Sequence, residues 1–447
     1  MNSGSVSISG NISAVKFLQK IVENAINAVE PRVLFEKGFQ VVGDRLTAFG
    51  KEIDLGKFKN IKCVAIGKSA EAMSFEMAQR LQGRVTGIIA SPVEEHLSLE
   101  KFGFYKTGHP FPDEVSLNAG TEIRKFVSSC SGDDFLIFLI SGGGSAAACL
   151  PVEGVSLNDV NETLKVLFEN AIRINEINLV RRHISSLGGG KLAELSPQSE
   201  KVSLIISDVV EDDMPSIASG PTVVDVTTPI DAYNFLKESN LLDRIPASIS
   251  EALSRSKRAF AKINPTRNFA KIIGSNSDAL KAAAKTGTEN GFDTLVLTRS
   301  LDLNTQIGAD LLASVAMSMK LDRRQMPALV LLGGETTVKM TGTGKGGRNQ
   351  QLILETLRKL IQIDANEEHF DRITFFAFGT DGKDGNSDAA GAFASTQLLK
   401  DVRGGTKEIE KYISDNDSNS FFKKYGGLIT TGPTDTNVMD IIGIIAE

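Results

Sequence analysis

Lys62 to Leu81 reads KCVAIGKSAEAMSFEMAQRL, an apolar run, a Gly67-Lys68-Ser69 turn and a run of helix-forming residues. This predicts a buried strand over Lys62–Ile66, a tight turn, and a helix over Ala70–Leu81. The same grammar recurs downstream. Phe135–Ile140 is a fully apolar run that meets Ser141-Gly142-Gly143-Gly144-Ser145, and Val202–Ile206 ends at Ser207-Asp208. Val85–Ala90 is a further strand. Continuous apolar strands alternating with helices imply a parallel sheet covered on both faces. Ligands of such sheets lie beyond the carboxyl ends of the strands, where the Gly67, Gly142 and Asp208 loops fall.

Outward from this block, Ser13–Glu30 has one apolar helical face closed by Pro31, and Val41–Leu55 reads as a short hairpin. Ser156 with Asp159 forms a capping-box start for a long helix toward Arg173. Thr227–Asn268 is helical and more charged, which places a domain boundary near 264/265. The second half restarts at the Lys271–Gly274 strand. It continues through Thr294–Thr298, Ala328–Leu332 and Ile373–Phe378, the last ending at Gly379-Thr380-Asp381-Gly382. At 447 residues, two domains are expected, 1–264 and 265–447.

With 41% hydrophobic and 23% charged residues the composition is that of a globular protein. The net charge of −6 argues against a broad nucleic-acid surface, while leaving room for a local basic pocket. Cys63, Cys130 and Cys149 are widely spaced and predict neither disulfides nor zinc. The histidines His96, His109, His183 and His369 show no metal-ligand spacing. The N-terminus lacks a secretory pattern and reads as a short flexible arm. No membrane span is expected, and the expected compartment is the cytoplasm. A homo-oligomer is compatible with the sequence.

The densest glycine cluster is GTGKGGRN, Gly342–Asn349, before a helix-like run Gln350–Leu360. Such a loop can turn backbone amides around an anion, with Lys345 and Arg348 adding charge. Gly342, Gly344 and Gly347 match G-x-G-x-x-G literally, but no buried strand immediately precedes them and no acidic residue ends a strand at the ~20-residue offset of a dinucleotide site. Gly67-Lys68-Ser69 is no P-loop, since Lys62 occupies the required glycine position. Phosphoryl transfer needs positive charge, a metal and an aligned hydroxyl. Lys68 and Arg348 are the candidate charges. Asp208, Asp212, Asp213, Asp381, Asp384 and Asp388 supply loop carboxylates where hard cations bind. Arg181-Arg182-His183 and Gly188–Lys191 could face a carboxylate substrate.

Taken in order, these stretches resemble a known family. They are AIGKSAEAM (65–73), TGHPFPDEVSLNAG (107–120), LISGGGSA (139–146), INEINLVRRHISSLGGGKLAEL (174–195) and ISDVVEDDMPSIASGPTV (206–223). GGETTVKMTGTGKGGRNQ (333–350), FGTDGKDGNSDAAGA (378–392) and TGPTDTNVMD (431–440) complete the series. The chain resembles the class II glycerate kinases, the glycerate 2-kinases with a C-terminal MOFRL domain. The resemblance implies an α/β fold of two domains. The first is a Rossmann-like three-layer domain with a parallel sheet, the second a smaller α/β MOFRL-type domain, with the active site in the cleft between them. It also implies ATP- and Mg2+-dependent phosphorylation of D-glycerate on its 2-hydroxyl. Lys68 and Arg348 would be catalytic. Ser69, Ser141, Gly142, Gly143, Gly144, Ser145, Arg181, Lys191, Gly344, Gly346, Gly347 and Asn349 would bind substrate or nucleotide, and Asp208 and Asp381 would hold the metal. Glu211 and Asp435 stand where the family has glycine. Competing readings are an NAD(P)H-dependent hydroxypyruvate reductase and a non-catalytic phosphosugar-binding module.

Overall fold

The computed structural model describes residues 6–8, 13–170, 172–256, 260–321, 327–363, 372–402 and 405–447. The chain divides into two compact units, residues 31–274 and residues 1–30 with 275–447.

In the first unit six strands form one sheet, β1 (Asn60–Ile66), β2 (Val85–Ser91), β3 (Phe102–Lys106), β4 (Asp134–Ile140), β5 (Glu200–Ile206) and β6 (Asn268–Gly274). All pairings are parallel and the order is β6-β5-β4-β1-β2-β3. This is the doubly wound arrangement, whose order reverses between its first and fourth strands. All seven residues of β4 are buried, as a central strand covered on both faces requires. Helix Ala70–Arg80 follows β1. Helix Glu114–Ser128 follows β3 behind an Asp113/Ser116 capping box. The expected Ser156/Asp159 capping box is present and starts helix Leu157–Glu169.

Four local expectations change. Val41–Leu55 holds two of the turns of a three-stranded meander, Phe39–Val42, Arg45–Ala48 and Lys51–Asp54. Pro31 opens helix Pro31–Gly38, where its missing N–H costs nothing, and the preceding helix stops at Asn27. The stretch after Gly143 yields only a short helix, Gly144–Ala147. The strand expected to restart the second half is β6, which pairs with β5 in the first sheet.

The second unit is built on a mixed sheet of β7 (Asp293–Asn304), β8 (Ala328–Thr337), β9 (Ile373–Gly379), β10 (Gly391–Ser395), β11 (Leu428–Thr430) and β12 (Asp440–Ala446). Its order is β11-β10-β9-β12-β8-β7, with only the β7/β8 pair parallel, and Ser7–Ile8 adds to β11. The rest of the expected N-terminal arm, and His369, lie outside the described residues. The N-terminal helix Ser13–Asn27 joins this unit rather than the one that follows it in sequence. Phe17 stacks on Phe292 at 4.2 Å and Asn24 donates to Thr286 Oγ1 at 2.9 Å. Residues 1–30 thus sit with 275–447, and the second division falls after Gly274 instead of at 264/265.

Candidate active site

In the first unit, β1 and β4 are neighbours at the reversal of strand order. Gly67 takes φ +113°, and a Cβ there would collide with the Ser141 carbonyl and hydroxyl. The glycine therefore lets two loops join. Lys68 N–H donates to Gly142 O at 2.9 Å, and Ser69 N–H donates to Ser141 Oγ at 3.0 Å. Ser69 Oγ is buried with no hydrogen-bond partner among the described residues.

Three side chains gather on the Gly142–Gly143 turn. A Cβ at Gly142 would collide with the Asp208 carboxylate. A Cβ at Gly143 would lie 3.1 Å from the His109 ring and 3.5 Å from Lys68 Cγ. An ammonium stem from the loop after β1, an imidazole from beyond β3 and a carboxylate from the loop after β5 thus border one side-chain-free surface. Lys68 and Asp208 were legible from sequence. His109 was legible only as a histidine held between glycine and prolines.

Beside this turn lies a cavity of about 30 Å³ lined by Ser145, Cys149, Arg181, Ser185 and Ser219. The Ser145 and Ser219 hydroxyls are 2.8 Å apart. Arg181 lies over the Phe168 ring at 5.7 Å, and burial lowers its pKa to about 10, so it stays charged at neutral pH. Arg181 and Ser145 are therefore brought together. Lys191 is not brought to them. Its Nζ donates to the carbonyls of Arg182, at 3.0 Å, and Ser185, at the C-terminal end of helix Ile174–Ile184. A cation there satisfies end carbonyls and suits the helix dipole. Arg182 pairs with Asp225 at 2.8 Å, and both are buried. The basic run thus splits, with Arg181 on one cavity and its neighbours on a buried carboxylate.

In the second unit, the amides expected to face an anion donate within the protein. Gly344 N–H donates to Asp415 O at 2.8 Å, Lys345 N–H to Asp417 Oδ1 at 3.0 Å and Gly346 N–H to Asn386 Oδ1 at 2.8 Å. Asn349 and Gln350 N–H donate to the two Asp384 oxygens at 3.1 and 2.9 Å, capping helix Arg348–Ile363. A Cβ at Gly342 or Gly344 would collide with Asp415, at Gly346 with Ser418 and at Gly347 with Asp384. These glycines serve close backbone packing.

The loop presents Lys345, whose Nζ pairs with Asp388 at 3.0 Å, and Arg348. Its Nε and Nη2 grip Asp440 at 2.6 and 3.0 Å, and Nη1 pairs with Glu335. Its side chain is 34% exposed, against 1% for Asp440, and all three of its nitrogens have a carboxylate partner. Desolvation opposes its charge, but Asp440 and Glu335 overcome that and hold its pKa well above the ordinary value. Asp384 is pushed up to about 6 by burial, although the two backbone N–H groups favour its charge. Asp384 was among the loop carboxylates expected from sequence, whereas Glu335 and Asp440 were missed, because they come from distant stretches.

Among the described residues, no group of three or more His, Cys, Asp or Glu side chains is arranged to hold a metal. A nucleotide-borne magnesium needs only one or two protein carboxylates, since phosphates and water supply the rest. Asp381 meets that requirement. It is half-buried after β9, and its Oδ1 and that of Asp440 both lie close to Gly379, 3.2 and 3.3 Å from where a Cβ would sit. All three cysteines are free and buried. No described helix is long and apolar enough to cross a membrane.

The model of a domain of unknown function, DUF4147, matches residues 17–254, and that of the MOFRL family matches residues 328–440. The glycerate 2-kinase of Pyrococcus horikoshii is 34% identical over 442 residues, covering 95% of each chain. The chain belongs to the MOFRL-type glycerate kinase family. The crystal structure of a glycerate kinase from Thermotoga maritima superimposes with a TM-score of 0.80 at 30% identity, covering 97% of this chain and 99% of that one. Another relative, from Agrobacterium vitis, is 31% identical over 97% of this chain and 95% of its own, and carries the provisional name hydroxypyruvate reductase.

Proposed function

We propose that this chain transfers the γ-phosphoryl group of ATP to the 2-hydroxyl of D-glycerate, giving 2-phosphoglycerate. The observation that carries this reading is the gathering of Lys68, His109 and Asp208 on the bare Gly142–Gly143 turn. It lies at the strand reversal where doubly wound sheets take ligands.

Lys68 neutralises charge on the transferring group, and the backbone of Ser141–Ser145 with Ser69 accommodates phosphate oxygens. Arg181 and Ser145 hold the glycerate carboxylate. Lys191, engaged with helix-end carbonyls, steadies the helix that carries Arg181. Arg348 supplies the second fixed charge. Gly344, Gly346, Gly347 and Asn349 contribute by fixing the loop that presents it. Asp208 in the first unit and Asp381 in the second are each a carboxylate that would suit magnesium, which when bound neutralises the phosphate oxygens.

The reductase reading is disfavoured by the second-unit loop. The Gly342/Gly344/Gly347 pattern packs against residues 415–418 and 384, with Gly344, Lys345 and Gly346 amides engaged, where a dinucleotide site needs them facing pyrophosphate.

³¹P NMR of the protein with ATP, magnesium and D-glycerate tests the proposal. A 2-phosphoglycerate resonance that requires both substrates supports it. A 3-phosphoglycerate resonance keeps the kinase and overturns the hydroxyl assignment. Absence of product, with NADH consumed on hydroxypyruvate, moves the assignment to the reductase.

A further inference from the structure

Strand β7 ends its sheet and pairs on one side only, with β8. Its outer edge has no ladder partner among the described residues. Long exposed edges are normally guarded by lysine, proline or an inward charge. Residues 293–299 read Asp-Thr-Leu-Val-Leu-Thr-Arg and contain neither lysine nor proline. Asp293, Leu295, Leu297 and Arg299 are exposed, while Thr294, Val296 and Thr298 between them are half-buried. The leucines are 54% and 44% exposed, so both present apolar surface to water.

We infer that this edge pairs antiparallel with the same strand of a second copy of the chain, about a two-fold axis through Val296. In that register Asp293 faces Arg299, Thr294 faces Thr298 and Leu295 faces Leu297, each pair occurring twice. Opposite charges, matched apolar side chains and matched threonines are the cross-strand pairs that stabilise antiparallel ladders. The charge pattern selects the register. A two-residue slip sets Asp293 against Leu297, or Leu295 against Arg299, and loses both ion pairs. A one-residue slip sets an exposed leucine against a half-buried threonine. Self-complementarity of one patch is the mark of an isologous contact. The ladder of β7 on β8 runs in register from Asp293 to Val296 and shifts between Val296 and Thr298 and again between Thr298 and Leu301. The dimer does not depend on the catalytic reading.

Sedimentation equilibrium of the full chain, with D293R, R299D and the D293R/R299D double variant, tests the pairing. The wild-type chain is expected at twice its 48.0 kDa mass. Either single change sets like charges opposite each other twice and weakens association at least about tenfold. The double variant restores opposite charges and association to within about threefold of wild type. All the altered positions are exposed, and unchanged thermal melts confirm folding. A monomeric wild type, a dimer indifferent to both single changes, or a double variant no tighter than the singles overturns the inference.

Discussion

Two glycine-rich regions with similar composition do different physical work. At Gly67 and Ser141–Ser145, glycines let two loops touch and leave a bare turn on which Lys68, His109 and Asp208 converge. At Gly342–Gly347, glycines let one loop lie against residues 415–418 and 384 with the Gly344, Lys345 and Gly346 amides engaged, Lys345 reaches Asp388, and Arg348 follows, clamped by Asp440 and Glu335. Glycine density therefore marks close backbone approach. Whether a ligand or the protein makes that approach is set by distant acceptors, here Asp384, Asn386, Asp415 and Asp417.

The largest separation of the two regions is kinetic. Lys68→Ala and Arg348→Ala are each expected to lower kcat by roughly 10²–10³ in the ATP–glycerate assay, as loss of a fixed transition-state charge does. Their stabilities should diverge. Lys68→Ala should melt near wild type. Arg348→Ala leaves buried Asp440 without its forked partner and should destabilise by about 3 kcal/mol or more, read by urea unfolding. Equal stability losses would break the distinction between an open turn and a clamped loop.

Acid titration offers a second separation. Burial raises the Asp384 pKa to about 6 from its model-compound value of 3.8. The folded chain therefore binds this proton more tightly than the unfolded chain. Stability from this group falls as pH rises from about 4 to about 6, by about 3 kcal/mol, and is level above. His183 in the first unit has the opposite sign. Burial lowers its pKa, so its contribution is present above about 6.5 and is lost as pH falls. Asp384→Asn should remove the first slope and His183→Gln the second, each measured as a difference from wild type across pH. A variant slope identical to wild type for Asp384→Asn would mean that folding leaves the carboxylate's affinity for its proton unchanged.

Gly347→Ala probes the packing directly. The added methyl must displace Asp384 from its cap, which should cost about 1–3 kcal/mol of stability. Were the loop a phosphate cradle, the same change would raise KM for ATP and leave the melting temperature alone.

Much of the first unit was legible because its signals are local. The apolar run to Ile66, the Gly67 turn and the Ser156/Asp159 box each declare their own geometry within a few residues. What was not legible is non-local. Nothing in Asn268–Gly274 states that it pairs with Glu200–Ile206, and nothing in Ser13–Asn27 states that its partners begin near Asn276. The same limit applied at the site. Lys68, Asp208 and Arg348 follow strands or glycines and could be named, whereas Asp440 and Glu335 gain their part only because β8 and β12 are neighbours. The engagement of the Gly344 and Lys345 amides had one trace, the acceptor-rich run Asp415-Asn416-Asp417-Ser418, which reads by itself as an ordinary turn.

The smallest expected effect concerns the two positions where this chain departs from the family. Glu211 and Asp435 both take positive φ, +65° and +57°, so the family's glycines there answer a backbone requirement. A side chain at such a position costs about 1 kcal/mol, and less for aspartate, which tolerates the left-handed region better than glutamate. Glu211→Gly should therefore stabilise by about 1 kcal/mol and Asp435→Gly by a few tenths. The first sits in a loop that also holds Asp212, Ala218 and Ser219 at positive φ, between Asp208 and the Ser145–Ser219 hydroxyl pair. Strain concentrated in one loop beside functional side chains is maintained by its surroundings. Relieving it at Glu211 should raise the melting temperature with kcat preserved if the loop's shape is set by Asp208 and Ser219. A gain in stability accompanied by lost turnover would instead mean that the exposed Glu211 side chain itself helps hold Asp208 toward the Gly142 turn.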